Sequence, residues 1–129
     1  MLGAVAGDII GSPYEWNNTQ DRYFELCRGT RGWFRGREVT YHPKFTDDTV
    51  MTLAVARWLM NDPDRNASSL IRIMQSMGRE YIDSGFAPMF KRWILSDDPR
   101  PNNSYGNGAA MRVSPVAMIA ESLPEAIAL

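Results

Sequence analysis

The segment FTDDTVMTLAVARW, residues 45–58, sets Thr46, Asp47 and Asp48 in front of an almost wholly apolar run. Two chemistries suit that arrangement. Thr46 at a helix N-cap accepts backbone N–H bonds, and acids in the first turn oppose the positive end of the helix dipole. Alternatively, a hydroxyl and two carboxylates on one turn supply the hard oxygen donors that Mg²⁺ takes, with water and substrate oxygens completing its shell. Spacing alone leaves both readings open. A second candidate is SYGNGAA, residues 104–110. Its glycines allow backbone N–H groups to converge on an anion such as phosphate, although Gly-Asn-Gly is equally an ordinary turn. Asp8 lies in an apolar segment and reads first as a carboxylate capping a neighbouring helix or loop. His42, the only histidine, has no second histidine or cysteine at ligand spacing, so no zinc site is expected. Asp97 and Asp98 precede Pro99 and read as a turn.

Helices must position these groups. MLGAVAGDIIG is read as helical, and Gly3, Gly7 and Gly11 share one face of it. Each glycine costs roughly 1 kcal/mol against alanine, so the stripe predicts a second element passing very close. Residues 16–45 keep no steady period and are read as a long ordered loop with at most a short turn of helix. Loops of that length often line a site, and as often are surface excursions. The next helix is expected from about Thr46 to Met60, ending before Pro63. Val50, Met51, Leu53, Ala54, Val55, Trp58 and Leu59 cover most of its circumference, which makes it central. A further helix begins near Ser68 or Ser69 and carries Leu70, Ile73, Met74, Met77 and Tyr81, with Gly85 as its stop. A shorter one covers Pro88 to Leu95. Residues 96–108 are loop. Ser114 is expected at an N-cap with Pro115 at the first helical position. Ser122 and Glu125 form a capping-box pattern before Ala126–Leu129, an apolar turn too short to stand alone in water.

Length and composition bound the rest. A chain of 129 residues, 44% hydrophobic and 22% charged, suits one globular domain. Fourteen basic against fifteen acidic residues give a net charge of −1, so no nucleic-acid backbone or membrane binding is expected. Neither a bilayer-spanning run nor a signal-peptide pattern is visible, and the lone Cys27 cannot form an internal disulfide. A reducing, cytoplasmic setting is the expectation.

GAVAGDIIGSPYE, FTDDTVMTLAVA and SYGNGAAMRVSPVA, in that order, resemble the ADP-ribosylglycohydrolase family. The motifs run from Gly3 to Ala117. The resemblance implies an all-α, orthogonal multi-helix bundle around a binuclear Mg²⁺ or Mn²⁺ centre, and hydrolysis of the glycosidic bond of an ADP-ribosyl group. It implies that Thr46, Asp47 and Asp48 bind metal. Glu15 would lie near the metals and the scissile bond, and Asp8 would support them. Ser104, Tyr105, Gly106, Asn107 and Gly108 would hold the diphosphate and ribose, with Met111 and Arg112 completing that motif. The partner implied is an ADP-ribosylated protein or a small ADP-ribosyl compound. Family members are typically about twice this length and carry a second Asp-rich metal motif near the C-terminus. No aspartate follows Asp98 here. The 129 residues are therefore expected to be the N-terminal part of one such domain. They would act in a longer enzyme, or be completed by a second copy or a complementary C-terminal chain, or serve as a non-catalytic ADP-ribose or nucleotide binder.

Overall fold

Helix α2, Asp47–Asn61, is the axis of the molecule. In the computed structural model, which describes residues 1–15, 29–101 and 103–129, it packs against α1, α3, α5 and the 3-10 turn Ala110–Arg112. The other helices are α1 (Leu2–Gly11), α3 (Ala67–Glu80), α4 (Pro88–Leu95), which packs on α3, α5 (Ser114–Ile119) and α6 (Leu123–Ala128). Val50, Met51 and Ala54 of α2 meet Met74 of α3, Phe86 of the α3–α4 connection and Ile94 of α4 to form the buried core. Met51 and Ile94 are fully buried. Each such side chain contributes about 1.5–3 kcal/mol of transfer free energy. The expected centrality of α2 follows, although Leu53 lies on its exposed side at 38% exposure.

Gly78 is the close approach of this core. A methyl placed on it would stand 2.8 Å from the Ile94 side chain. Polar side chains of α3 then close α4: Gln75 Nε2 donates to the carbonyls of Trp93 and Ser96, and Arg79 Nε donates to that of Ile94. These bonds satisfy carbonyls that the end of α4 leaves without helical partners.

Four local expectations are revised. The stretch read as irregular loop contains an antiparallel hairpin, β1 (Thr30–Phe34) and β2 (Arg37–Tyr41), so the fold is mostly helical with a small sheet and not purely α. Arg35 and Gly36 make its two-residue turn with φ of 48° and 77°, the pairing of positive φ values that matches strand twist. Residues 16–28 of that loop, with Cys27, lie outside the described residues. Helix α3 ends at Glu80, capped by Tyr81, five residues before Gly85. Ser114 is the first residue of α5, one later than its expected N-cap place, and its buried hydroxyl has no hydrogen-bond partner among the described residues. Finally, Gly3, Gly7 and Gly11 have nothing among the described residues within 4 Å of an added methyl. At α6 the Ser122 half of the expected capping box forms, with Ser122 Oγ accepting the Glu125 N–H, while the Glu125 carboxylate accepts the N–H of Glu121, one residue before the N-cap.

Candidate active-site cleft

Asp8 is the pivot of the site. From α1 it reaches the N-terminus of α2, where its Oδ2 accepts the N–H groups of Thr46 and Thr49 at 2.8 and 3.2 Å. The hydroxyl of Thr49 donates to the same oxygen at 2.5 Å, and that of Thr46 donates to Oδ1 at 2.6 Å. Thr46, buried at 7% exposure, also accepts the Asp48 N–H at 3.3 Å. The capping reading of Thr46 and Asp8 is therefore observed: the carboxylate satisfies orphan donors at the positive end of the most buried helix.

This anchoring leaves Asp47 and Asp48 to point elsewhere. Consecutive helical residues are about 100° apart around the axis, and the two aspartates line different clefts. Asp48 lines a cleft of about 500 Å³ between α1 and α2, with Gly7, Asp8, Gly11, Glu15 and Thr52. The glycine stripe is thus partly a wall of this cleft, which explains its open face. Asp47 lines an adjoining cleft of about 420 Å³ with Phe90, Trp93, Ser104, Gly106, Gly108 and Arg112. Asn107 and Met111 belong to both clefts. Thr52 Oγ1 donates to the Met111 carbonyl at 3.2 Å and pins this shared corner to α2. Gly85, at φ +103°, brings the backbone close to Asp47, where an added methyl would lie 3.3 Å from Oδ1.

The four carboxylates shape one electrostatic field. Burial pushes Asp47 up to about 6, and Asp48, Glu15 and Asp8 add repulsion, against a backbone hydrogen bond that lowers it. Burial, then Asp8, also raises Asp48. Glu15 is raised by burial and by Asp48 and Asp8, with Lys44 opposing them. A field that makes several carboxylates reluctant to ionise together attracts cations. As donor chemistry this suits Mg²⁺ or Mn²⁺. As geometry it is incomplete: among the described residues no three acidic, histidine or cysteine side chains converge closely enough to hold an ion. The residues present thus do not by themselves make a metal centre.

The loop 104–108 differs from its sequence expectation in two ways. Neither Gly106 nor Gly108 adopts the positive φ of an anion-binding nest. Tyr105 is fully exposed and lines neither cleft, unlike Ser104, Gly106, Asn107 and Gly108. The aromatic wall was not foreseen from the sequence: Phe90 and Trp93 stack at 5.2 Å, and the Arg112 guanidinium lies 5.4 Å from the Phe90 centroid. Their i, i+3 spacing on α4 is the signal that could have found the pair. Burial lowers the pKa of Arg112.

A family model described as ADP-ribosylglycohydrolase matches residues 1–129. The chain belongs to the ADP-ribosylglycohydrolase family. This ADP-ribosylglycohydrolase chain is 26% identical to ADP-ribosylhydrolase ARH3 of Xenopus tropicalis over 98% of its own length. It is 27% identical to the Homo sapiens and Mus musculus proteins of that name, over 97% of its length. It spans only about two fifths of these relatives, 39–40% of each. No solved structure matches it at a significant level. Among the described residues no helix is long and apolar enough to cross a membrane.

Proposed function

We propose that these residues form the N-terminal part of a hydrolase that cleaves the glycosidic bond of an ADP-ribosyl group on a protein or small-molecule acceptor. The observation that carries this reading is the junction of two clefts at Asn107 and Met111, one acidic with Glu15 and Asp48, the other polar and aromatic with the 104–108 loop. The bond between the anomeric carbon and the acceptor breaks through an oxocarbenium-like state, and water supplies the new oxygen. Glu15 takes the proton from that water, and the departing acceptor atom gains one in turn. The loop and aromatic wall hold the diphosphate and nucleoside end, so remote binding energy orients the reacting carbon. Asp47 and Asp48 would offer carboxylate ligands to Mg²⁺ or Mn²⁺ from the two adjoining clefts, with the remaining ligands coming from outside the described residues. Such ions stabilise developing charge in hydrolysis.

A second reading is a module that binds ADP-ribose without cleaving it, held by the 104–108 loop and the Phe90–Trp93 wall. Calorimetric titration of ADP-ribose into the chain, with Mg²⁺ and then with EDTA, separates the two. Metal-dependent binding lost in Asp47→Ala and Asp48→Ala supports the hydrolase site. Binding unchanged by EDTA supports the binding module, and absence of binding in both buffers removes both readings for the isolated chain.

A further inference from the structure

Arg112 is a half-buried cation that neither reading uses. It ends the 3-10 turn Ala110–Arg112, which is fixed from two sides. The Asn107 carbonyl accepts the N–H groups of Ala110 and Met111 at 2.8 and 3.2 Å, and Thr52 holds the Met111 carbonyl. The Arg112 guanidinium lies 5.4 Å from the Phe90 centroid, and Phe90 is itself stacked on Trp93. A ring against a guanidinium restricts where its planar fork can point. Its Nη2 passes close to Gly108, where an added methyl would lie 3.5 Å away. A guanidinium carries five N–H donors. Here Nη1 donates to the Met74 sulfur, a weak acceptor, at 3.8 Å. Among the described residues Arg112 makes no ion pair and no other hydrogen bond. None of its nitrogens is both buried and unpartnered, so the remaining N–H groups open onto the cleft of about 420 Å³ that Arg112 lines.

The surroundings select the ligand. Asp47 and Arg112 are the charged residues that line this cleft, and the adjoining cleft carries Asp8, Glu15 and Asp48. Arg112 is therefore the cation of the pair of clefts among the described residues. A charge withdrawn from water without a counter-charge is costly, and the guanidinium fork matches the paired oxygens of an oxyanion. The loop beside it is poorly placed to hold the anion instead. Its Gly106 N–H donates to Ser104 Oγ at 3.2 Å, the N–H groups of Ala110 and Met111 are taken by Asn107, and neither loop glycine has a positive φ. A phosphoryl group brings more charge than a carboxylate and a third strong acceptor oxygen. It therefore answers more of the open N–H groups.

We propose that Arg112, and not the backbone of the 104–108 loop, is the phosphoryl-binding group of the aromatic cleft. The anion site stands apart from the hydrolase reading. That its phosphoryl group belongs to an ADP-ribosyl ligand, and not to free diphosphate or a nucleotide, rests on that reading. The test is calorimetric titration of inorganic pyrophosphate into the 129-residue chain, in EDTA and at fixed ionic strength. Expected is saturable binding that Arg112→Met weakens by about tenfold or more, the loss of charge-assisted hydrogen bonds. Arg112→Lys keeps the charge and loses the fork, so its affinity should fall between the two. ADP and ADP-ribose should lose affinity with Arg112→Met as pyrophosphate does, and adenosine, which has no phosphoryl group, should not. Without ligand, Arg112→Met should melt no lower than the wild type, because methionine fills similar space with no charge to desolvate. Absence of pyrophosphate binding, equal affinity in wild type and Arg112→Met, or displacement of pyrophosphate by equimolar succinate would each overturn the proposal. If Arg112→Met does not fold, Arg112→Lys decides: wild-type pyrophosphate affinity in that variant refutes the fork. Pyrophosphate binding without ADP-ribose binding sinks the hydrolase reading for this chain and leaves the anion site. ADP-ribose binding untouched by Arg112→Met sinks the Arg112 inference alone.

Discussion

At the scale of single residues, Asp47 carries a measurable cost. Burial pushes its carboxyl up to about 6 from an ordinary value of 3.8. Ionising it therefore works against folding. The penalty is absent below about pH 3.8, grows between 3.8 and 6, and is complete above that. Asp47→Asn should raise the metal-free protein's stability at pH 7.5 by on the order of 1 kcal/mol, after allowance for solvent screening of a half-exposed group, and by nothing at pH 3.5. Thermal melts at both pH values check this; an equal gain at both would remove the electrostatic explanation. Asp8 is a structural acceptor, with both carboxylate oxygens hydrogen-bonded at the start of α2. Asp8→Ala removes the acceptor for two N–H groups and two hydroxyls, and should cost about 2–3 kcal/mol in urea unfolding. Glu15 makes no such structural bond among those described. In a catalytically complete form, Glu15→Gln should cut turnover by about 10²–10⁴-fold with little change in ligand affinity. Parallel losses in both would assign it to binding.

At the scale of elements, the α3–α4 contact is the least tolerant. Gly78→Ala drives a methyl to within 2.8 Å of the side chain of Ile94, which is fully buried. Overpacking of this kind costs about 1–3 kcal/mol, and the denaturation midpoint should fall accordingly. Gly7→Ala meets nothing within 4 Å and should leave stability unchanged or slightly higher, because alanine favours the helix. The same substitution narrows the acidic cleft, so a loss of ADP-ribose affinity without loss of stability would mark the α1 stripe as a ligand wall. The hairpin is the counterpart of α3–α4: it is anchored at its base and open at its tip, where substitutions should leave folding unchanged.

At the scale of the molecule, much apolar surface stays uncovered. Leu2 of α1 is 88% exposed, Met118 of α5 64%, and Leu123 and Ile127 of α6 74% and 78%. None of the residues of α1 or α6 is buried. Exposed apolar residues of this kind drive association. Sedimentation of the isolated chain should show concentration-dependent self-association, and Leu123→Glu with Ile127→Glu should shift it toward monomer while leaving the α2–α3–α4 core intact. A monomer at all concentrations would show that these side chains are tolerated in water as they stand.

The sequence by itself determined the helices that have local signals. Thr46 before an apolar run, Pro88 and Ser122-x-x-Glu125 mark helix starts through capping and backbone geometry that neighbours in sequence settle. The motif order was also enough to assign the family. The hairpin was missed because Arg-Gly is a weaker turn signal than Asn-Gly, and because Gly32 and two arginines blur its alternation. Only the tertiary structure decided which way each polar group faces. Asp8 could be assigned to capping once α1 lay across the start of α2, and adjacent Asp47 and Asp48 parted into two clefts because a helix turns about 100° per residue. The aromatic wall likewise exists only where α4 meets the 104–112 segment. These are contacts between residues tens of positions apart, and no local preference of the chain encodes the direction of approach.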